Sequence, residues 1–137
     1  MKKILLISFF LFSFTGFKLY AQDDDAGNEK IRDKMNEFIQ QRLNLSKAEA
    51  EKFSPVFLRY FHEWRTTLRT TKDEPVLIRE QKIVDLRLRY RDQFKGIIGD
   101  KRSNEVFDHQ RTFIKEMRNL RQERLERNDP IRTRKNR

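Results

Sequence analysis

Between Ile31 and Leu120 the apolar residues return every three or four positions. A period near 3.6 puts such residues on one face of an α-helix, whereas a half-buried strand needs strict alternation. The pattern breaks at only three places: Asn44-Leu45-Ser46, Asp73-Glu74-Pro75 and Gly99-Asp100. The chain is therefore expected to be all-α, with about four amphipathic helices arranged as elongated helical hairpins. Four Gly and three Pro in 137 residues leave too few turn-formers for a sandwich or a barrel.

The first helix is predicted over 28–44, with Ile31, Met35, Phe38, Ile39 and Leu43 on its inner face. A second begins at Lys47. Ser46 can accept from the N–H three residues on and Glu49 can reach back to the Ser46 N–H, which is a capping box, and Leu45 and Ala50 hold the staple positions. Its apolar face is Phe53, Phe57, Tyr60, Trp64 and Leu68, with Val56 and Phe61 beside it. Pro55 has no N–H for the Glu51 carbonyl, so a kink near 51–55, or a short first turn followed by the main helix, is expected. Pro75 suits the first turn of a third helix, which runs to about Ile98 with Val76, Ile83, Leu86, Tyr90, Phe94 and Ile97 in one stripe. Gly99 is placed at a left-handed closing position and Asp100 as the cap of a fourth helix, to about Arg127. Its stripe is Val106, Phe113 and Leu120, flanked by Gln110, Ile114 and Met117. Four such helices can close as a bundle or form an open, curved layer completed by a second chain. The spacing alone does not choose between these.

The two ends read differently. Residues 1–21 have Lys2 and Lys3, an apolar run from Ile4 to Phe17 and a small residue at Ala21, the pattern of a secretory signal peptide. The run is shorter than the roughly 20 apolar residues a spanning helix needs. Export to the periplasm is expected, with no stable membrane insertion after cleavage. Residues 22–27 are acidic and read as a disordered linker, 28–127 as the helical domain, and 128–137 as a basic flexible tail. The chain has no Cys, so an exported fold would not depend on oxidation.

Charge is unevenly placed within a total of +10. Residues 22–78 hold ten basic and eleven acidic residues, a net −1, while 79–137 hold eighteen and ten, a net +8. A basic half suggests an acidic partner, but export argues against nucleic acid. Enzyme chemistry is not expected. There is no Cys nucleophile, no Gly-rich phosphate loop and no nucleophile elbow, and only His62 and His109 carry imidazole. No catalytic residue, cofactor or metal ligand is assigned. The candidate contacts for clients or partners are Phe57, Phe61 and Trp64 on the second helix, with Arg87, Arg91, Arg118 and Arg121 on the third and fourth. Against these stand the plainer readings of core packing for the aromatics and a solvated face for the arginines.

Leu45-Ser46-Lys47-Ala48-Glu49 opening an aromatic helix, followed by a long basic helix and a second basic helix from Asp100, resembles the Spy/CpxP family. These are exported bacterial proteins with a repeated Leu-Thr-x-x-Gln motif. The stretch from Leu43 through Pro55 is similar to Bacteroidetes-type members, described as Spy/CpxP-like chaperones or sensors of extracytoplasmic-function sigma factors. The first motif copy has Ser46 for Thr and Glu49 for Gln, and both keep the capping chemistry. The second reads Ile98-Gly99-Asp100-Lys101-Arg102, with only Asp100 left to cap. The resemblance implies a cradle-like antiparallel homodimer and ATP-independent binding of unfolded or partly folded envelope clients. It equally implies an alternative role, a stress regulator that binds a membrane-bound sensor kinase or anti-sigma factor.

Overall fold

The computed structural model describes residues 22–128 and shows four α-helices: α1 (Gln22–Arg42), α2 (Lys47–Thr70), α3 (Val76–Ile98) and α4 (Asp100–Arg127). No strand occurs among the described residues, so the fold is all-α. The signal-peptide reading of 1–21 and the tail at 129–137 lie outside the described residues. α1 starts at Gln22 and takes in residues 22–27, which composition reads as an irregular linker. Extending an established helix is far easier than nucleating one. Gly27 opposes the extension by only about 1 kcal/mol.

Each connection is built by local chemistry. After Arg42, Asn44 adopts φ 47°, a left-handed conformation that its short polar side chain tolerates. The Leu45 N–H then bonds the Gln40 carbonyl at 3.1 Å and the Asn44 N–H bonds the Gln41 carbonyl at 3.2 Å, a Schellman closure. The next residue, Ser46, is the N-cap of α2. Glu49 N–H donates to Ser46 Oγ at 3.2 Å, and Ser46 N–H donates to Glu49 Oε2 at 2.9 Å, so the capping box is present. α2 runs unbroken through Pro55. No break separates a first turn from the main helix, and α1 contacts the same turn from outside. Asn36 Nδ2 and Gln40 Nε2 both donate to Ser54 Oγ, at 3.1 and 2.8 Å.

α3 and α4 are joined by Gly99 alone, at φ 83° and ψ 168°. This backbone region belongs almost exclusively to glycine. Gly99, not Asp100, is the N-cap residue of α4, and it has no side chain to cap with. Asp100 is already helical, and its carboxylate turns to Lys95 Nζ at 2.9 Å. The cap assignment of Asp100 is therefore corrected. Ser103 Oγ and Asn104 Nδ2 both donate to the Asp100 carbonyl, at 2.6 and 2.9 Å.

α1 and α3 each pack against both α2 and α4, so one chain supplies all sides of the core. The core is aromatic and centres on α2. Phe53, Phe57 and Tyr60 are wholly buried, with Met35 and Ile39 from α1, Phe94 from α3 and Val106 from α4. The Tyr60 ring lies 5.3 Å from Tyr90, 5.5 Å from Phe107 and 6.3 Å from Phe94, all edge-on. Its hydroxyl donates to Gln110 Oε1 at 2.6 Å, an α2–α4 bond inside the core.

Two stability measurements follow. Ser46→Ala is expected to cost about 1 kcal/mol in urea denaturation, from loss of the cap. Tyr60→Phe strands the buried Gln110 carbonyl and is expected to cost about 1–3 kcal/mol, most of it recovered in Tyr60→Phe/Gln110→Leu, where both polar partners are gone. Equal stability of Tyr60→Phe and the parent would show that the bond contributes nothing.

Candidate functional site

α3 carries two apolar rows. The inner one, Leu86, Tyr90, Phe94 and Ile98, is buried. The outer one is Leu77, Val84 and Leu88. At 100° per residue these three lie within about 40° of one another, on a face turned roughly 120° from the inner row. All three are exposed, Leu77 to 77%. The same face continues toward the C-terminus as Arg91 and Lys95. An apolar strip thus leads into a basic one along a single helix.

α4 shows a different surplus. Its core stripe Val106, Gln110 and Phe113 is buried, and the stripe then continues as Met117 and Leu120, both exposed. α1 meets α4 through Phe38 on Phe113, ring centres 5.4 Å apart, and through Arg42 on Glu116 at 3.6 Å. Every residue of α4 from Lys115 on is exposed, Leu125 included. Arg118, Arg121, Arg124 and Arg127 share this extension with the three apolar side chains.

The residues singled out from sequence fall unevenly on this surface. Phe57 and Phe61 are buried core residues, at 0% and 4% exposure. They are corrected from client contacts to packing. The reason is that α2 is flanked by α1 and α3 and also reaches α4 through Tyr60, so its buried arc is wider than one stripe. Trp64 is half-buried beside Phe61, ring centres 5.7 Å apart. Arg87 is turned partly inward, its Nε 3.5 Å from the Tyr60 hydroxyl and its guanidinium 5.8 Å from the Phe107 ring centre. Arg91 is half-buried and pairs with Asp92 at 3.1 Å. Arg118 and Arg121 are exposed on the α4 extension. Leu45 packs against the core. Leu77, Val84 and Leu88 escape a reading by core stripes, although an apolar row on the polar side of a helix is the signal that reveals them.

Arg102 is the other residue that sequence reasoning misses. Its guanidinium grips Glu49 through two bonds, Nη1 to Oε2 at 3.1 Å and Nη2 to Oε1 at 2.5 Å. Its Nε donates to the Ile98 carbonyl at 2.9 Å, satisfying a carbonyl at the end of α3. One side chain thereby ties the starts of α2 and α4 to the end of α3. Nothing in the sequence separates Arg102 from the other bases of the second half. The Arg102 hydrogen bonds and the Ser46 N–H hold the Glu49 carboxyl down from its ordinary 4.5 to about 2. On the far side of the core, Tyr90 OH donates to Glu63 Oε1 at 2.5 Å while Arg89 Nη2 bonds Glu63 Oε2 at 2.7 Å. Burial and then the Glu63 carboxylate push the Tyr90 hydroxyl up to about 12.

Among the described residues, no group of three or more His, Asp or Glu comes together as metal ligands, and no helix is long and apolar enough to cross a membrane. No protein-family model, curated protein or solved structure matches the chain.

The Glu49 shift sets a pH dependence. A carboxyl whose folded pKa is depressed adds stability that is present above its unfolded pKa and lost as pH falls through the folded value. The loss should therefore run from about pH 4.5 down to about 2. Glu49→Gln is expected to lower the thermal midpoint at pH 7 and to differ little from the parent near pH 2. With 26% of the side chain exposed, solvent screening keeps the effect modest. Parallel melting curves of the two proteins across this range test it.

Proposed function

We propose that this protein is an exported, periplasmic binding protein of the Spy/CpxP kind that holds unfolded or partly folded clients without ATP and without chemistry of its own. The observation that carries the reading is the outer row of α3. Leu77, Val84 and Leu88 stand exposed on a well-formed helix whose core face is already filled. Exposed aliphatic side chains recurring along one helical face suit a surface that something binds. The exposed Arg118 and Arg121 of α4 suit a two-step encounter, in which charge draws the client in and the apolar side chains of α3 then retain it. On this reading the aromatic residues of α2 stabilise the scaffold, and the aliphatic residues of α3 do the holding.

Met117 and Leu120 extend a stripe that is buried where neighbours exist, and a second copy of the chain supplies the missing cover. The protein is accordingly proposed to be a homodimer joined through the α4 extension. Sedimentation is expected to show a dimer at micromolar concentration and a monomer for Leu120→Glu.

The holding reading is tested by the aggregation of an unrelated unfolded client in the absence of ATP. Leu77→Ser/Val84→Ser/Leu88→Ser should raise the concentration needed for protection at least about tenfold, since burying one aliphatic side chain against the client is worth on the order of 1 kcal/mol. Its melting temperature should change little, because these side chains are outside the core. Arg118→Gln/Arg121→Gln should slow association and reduce its salt dependence, an effect fading as the Debye length falls to about 8 Å near 0.15 M salt. Full protection by the triple variant would refute the assignment of this surface.

A further inference from the structure

A cleft of about 520 Å3 opens between the first half of α1 and the second half of α2, away from the surfaces described above. The ring and ion-pair contacts of α4 with α1 fall at Phe38 and Arg42, toward the other end of α1. The cleft is lined from α1 by Asn28, Glu29 and Arg32 and from α2 by residues between Phe61 and Arg69. His62, Arg65 and Arg69 follow at i, i+3 and i+7, a spacing that puts them on one helical face. The half of the chain with no net positive charge thus gathers three of its arginines around a single concavity.

The state of those arginines points to a ligand. Arg65 Nη2 donates to Asn28 Oδ1 at 2.9 Å, a neutral partner that positions the guanidinium without cancelling its charge. Among the described residues, neither Arg65 nor Arg69 makes an ion pair. Arg32 is shared with Asp33, its Nε 2.9 Å from Oδ1. Among the described residues, Glu29 is the one carboxylate in the lining. Among these described residues the surplus is positive, and it is carried by planar forks that match the oxygens of a phosphate. Phe61 and Leu68 add an apolar wall to the same space. Small-molecule sites span about 300–1,000 Å3 and combine apolar walls with a few polar anchors. The cleft meets both conditions.

We propose that the α1–α2 cleft binds a phosphate monoester carried on an apolar body. Arg65 and Arg69 grip the phosphate, Arg32 approaches it from α1, and Phe61 and Leu68 face the apolar part. The phosphate is either that of a soluble organophosphate or that of a lipid headgroup. This site is independent of client holding on α3.

Calorimetric titration of the purified protein with phenyl phosphate at low ionic strength tests the proposal. Saturable one-to-one binding is expected, weaker with inorganic phosphate, which lacks the apolar part, and absent with benzyl alcohol, which lacks the charge. Arg65→Gln and Arg69→Gln should each weaken binding roughly tenfold, the loss of one charge-assisted contact. Both side chains are exposed, so circular dichroism and the melting temperature should not change. The exposed bases Lys52 and Arg111 lie outside the cleft, and Lys52→Gln and Arg111→Gln should leave the affinity within about twofold. Co-sedimentation with phosphatidylcholine vesicles containing phosphatidic acid, lost in Arg65→Gln/Arg69→Gln, supports the site with a lipid headgroup as its source. Phenyl phosphate binding without vesicle binding supports it with a soluble ester. The proposal is overturned if phenyl phosphate shows no saturable binding, or if Lys52→Gln or Arg111→Gln weakens it as much as the cleft variants do. Tighter binding of polyglutamate than of phenyl phosphate at the same arginines also overturns it, in favour of an acidic protein partner.

Discussion

The Tyr60 hydroxyl is the polar group around which the core is organised. A buried hydroxyl needs a partner, and an unpaired one costs on the order of 1–3 kcal/mol. Tyr60 finds its partner on α4, where Gln110 Oε1 accepts at 2.6 Å, while Arg87 Nε on α3 donates to the Tyr60 hydroxyl oxygen. One side chain of α2 therefore specifies which residues of two other helices must face it. Hydrophobic burial alone would tolerate a sliding register, because one aliphatic contact resembles the next. The hydrogen bond does not, and the edge-on rings of Tyr90, Phe94 and Phe107 pack around the position it sets.

The corner formed by α2, α3 and α4 follows from a second constraint. A connection of one residue leaves α4 little choice of direction once Gly99 has adopted φ 83°. Arg102 then locks the corner by bonding Glu49 and the Ile98 carbonyl together. The capping box of α2 thereby acquires a long-range function. The Glu49 carboxylate that closes the helix start also accepts the guanidinium from α4. Local and tertiary requirements converge on one side chain, which accounts for the depth of its pKa depression.

Function on this scaffold is a matter of what remains after the core is built. Most aromatic residues of α2 are consumed by packing, because α2 has neighbours on several sides, while Phe61 also borders the α1–α2 cleft and Trp64 stays half-buried. On the proposed reading, binding falls to the aliphatic outer row of α3, to the α4 extension and to the basic α1–α2 cleft. These three features differ in kind. The first is an apolar strip continuing into positive charge, the second a core stripe without cover, and the third a concavity lined by guanidinium groups. A holding role draws on the first two, and recognition of a small anion draws on the third.

The all-α class, the four helices and most of their ends were legible from residue spacing and caps, because these depend on neighbours within a few positions. Ser46 and Glu49 lie three residues apart, and their bonds follow from helix geometry alone. The buried middle parts of the α3 and α4 stripes were legible for the same reason, but Ile31, Val76 and Leu120, which spacing places on inner faces, are exposed because no helix among the described residues covers them fully. The capping role given to Asp100 was not borne out, since Gly99 takes the cap position and Lys95 draws the carboxylate away. The burial of Phe57 and Phe61 and the choice of Arg102 among many bases were decided only in three dimensions. So was the gathering of Arg32, Arg65 and Arg69 at one cleft. Spacing along a helix says which residues share a face. How much of that face is covered, and by what, depends on how many other helices arrive there and at what height, and contacts between residues dozens of positions apart determine that.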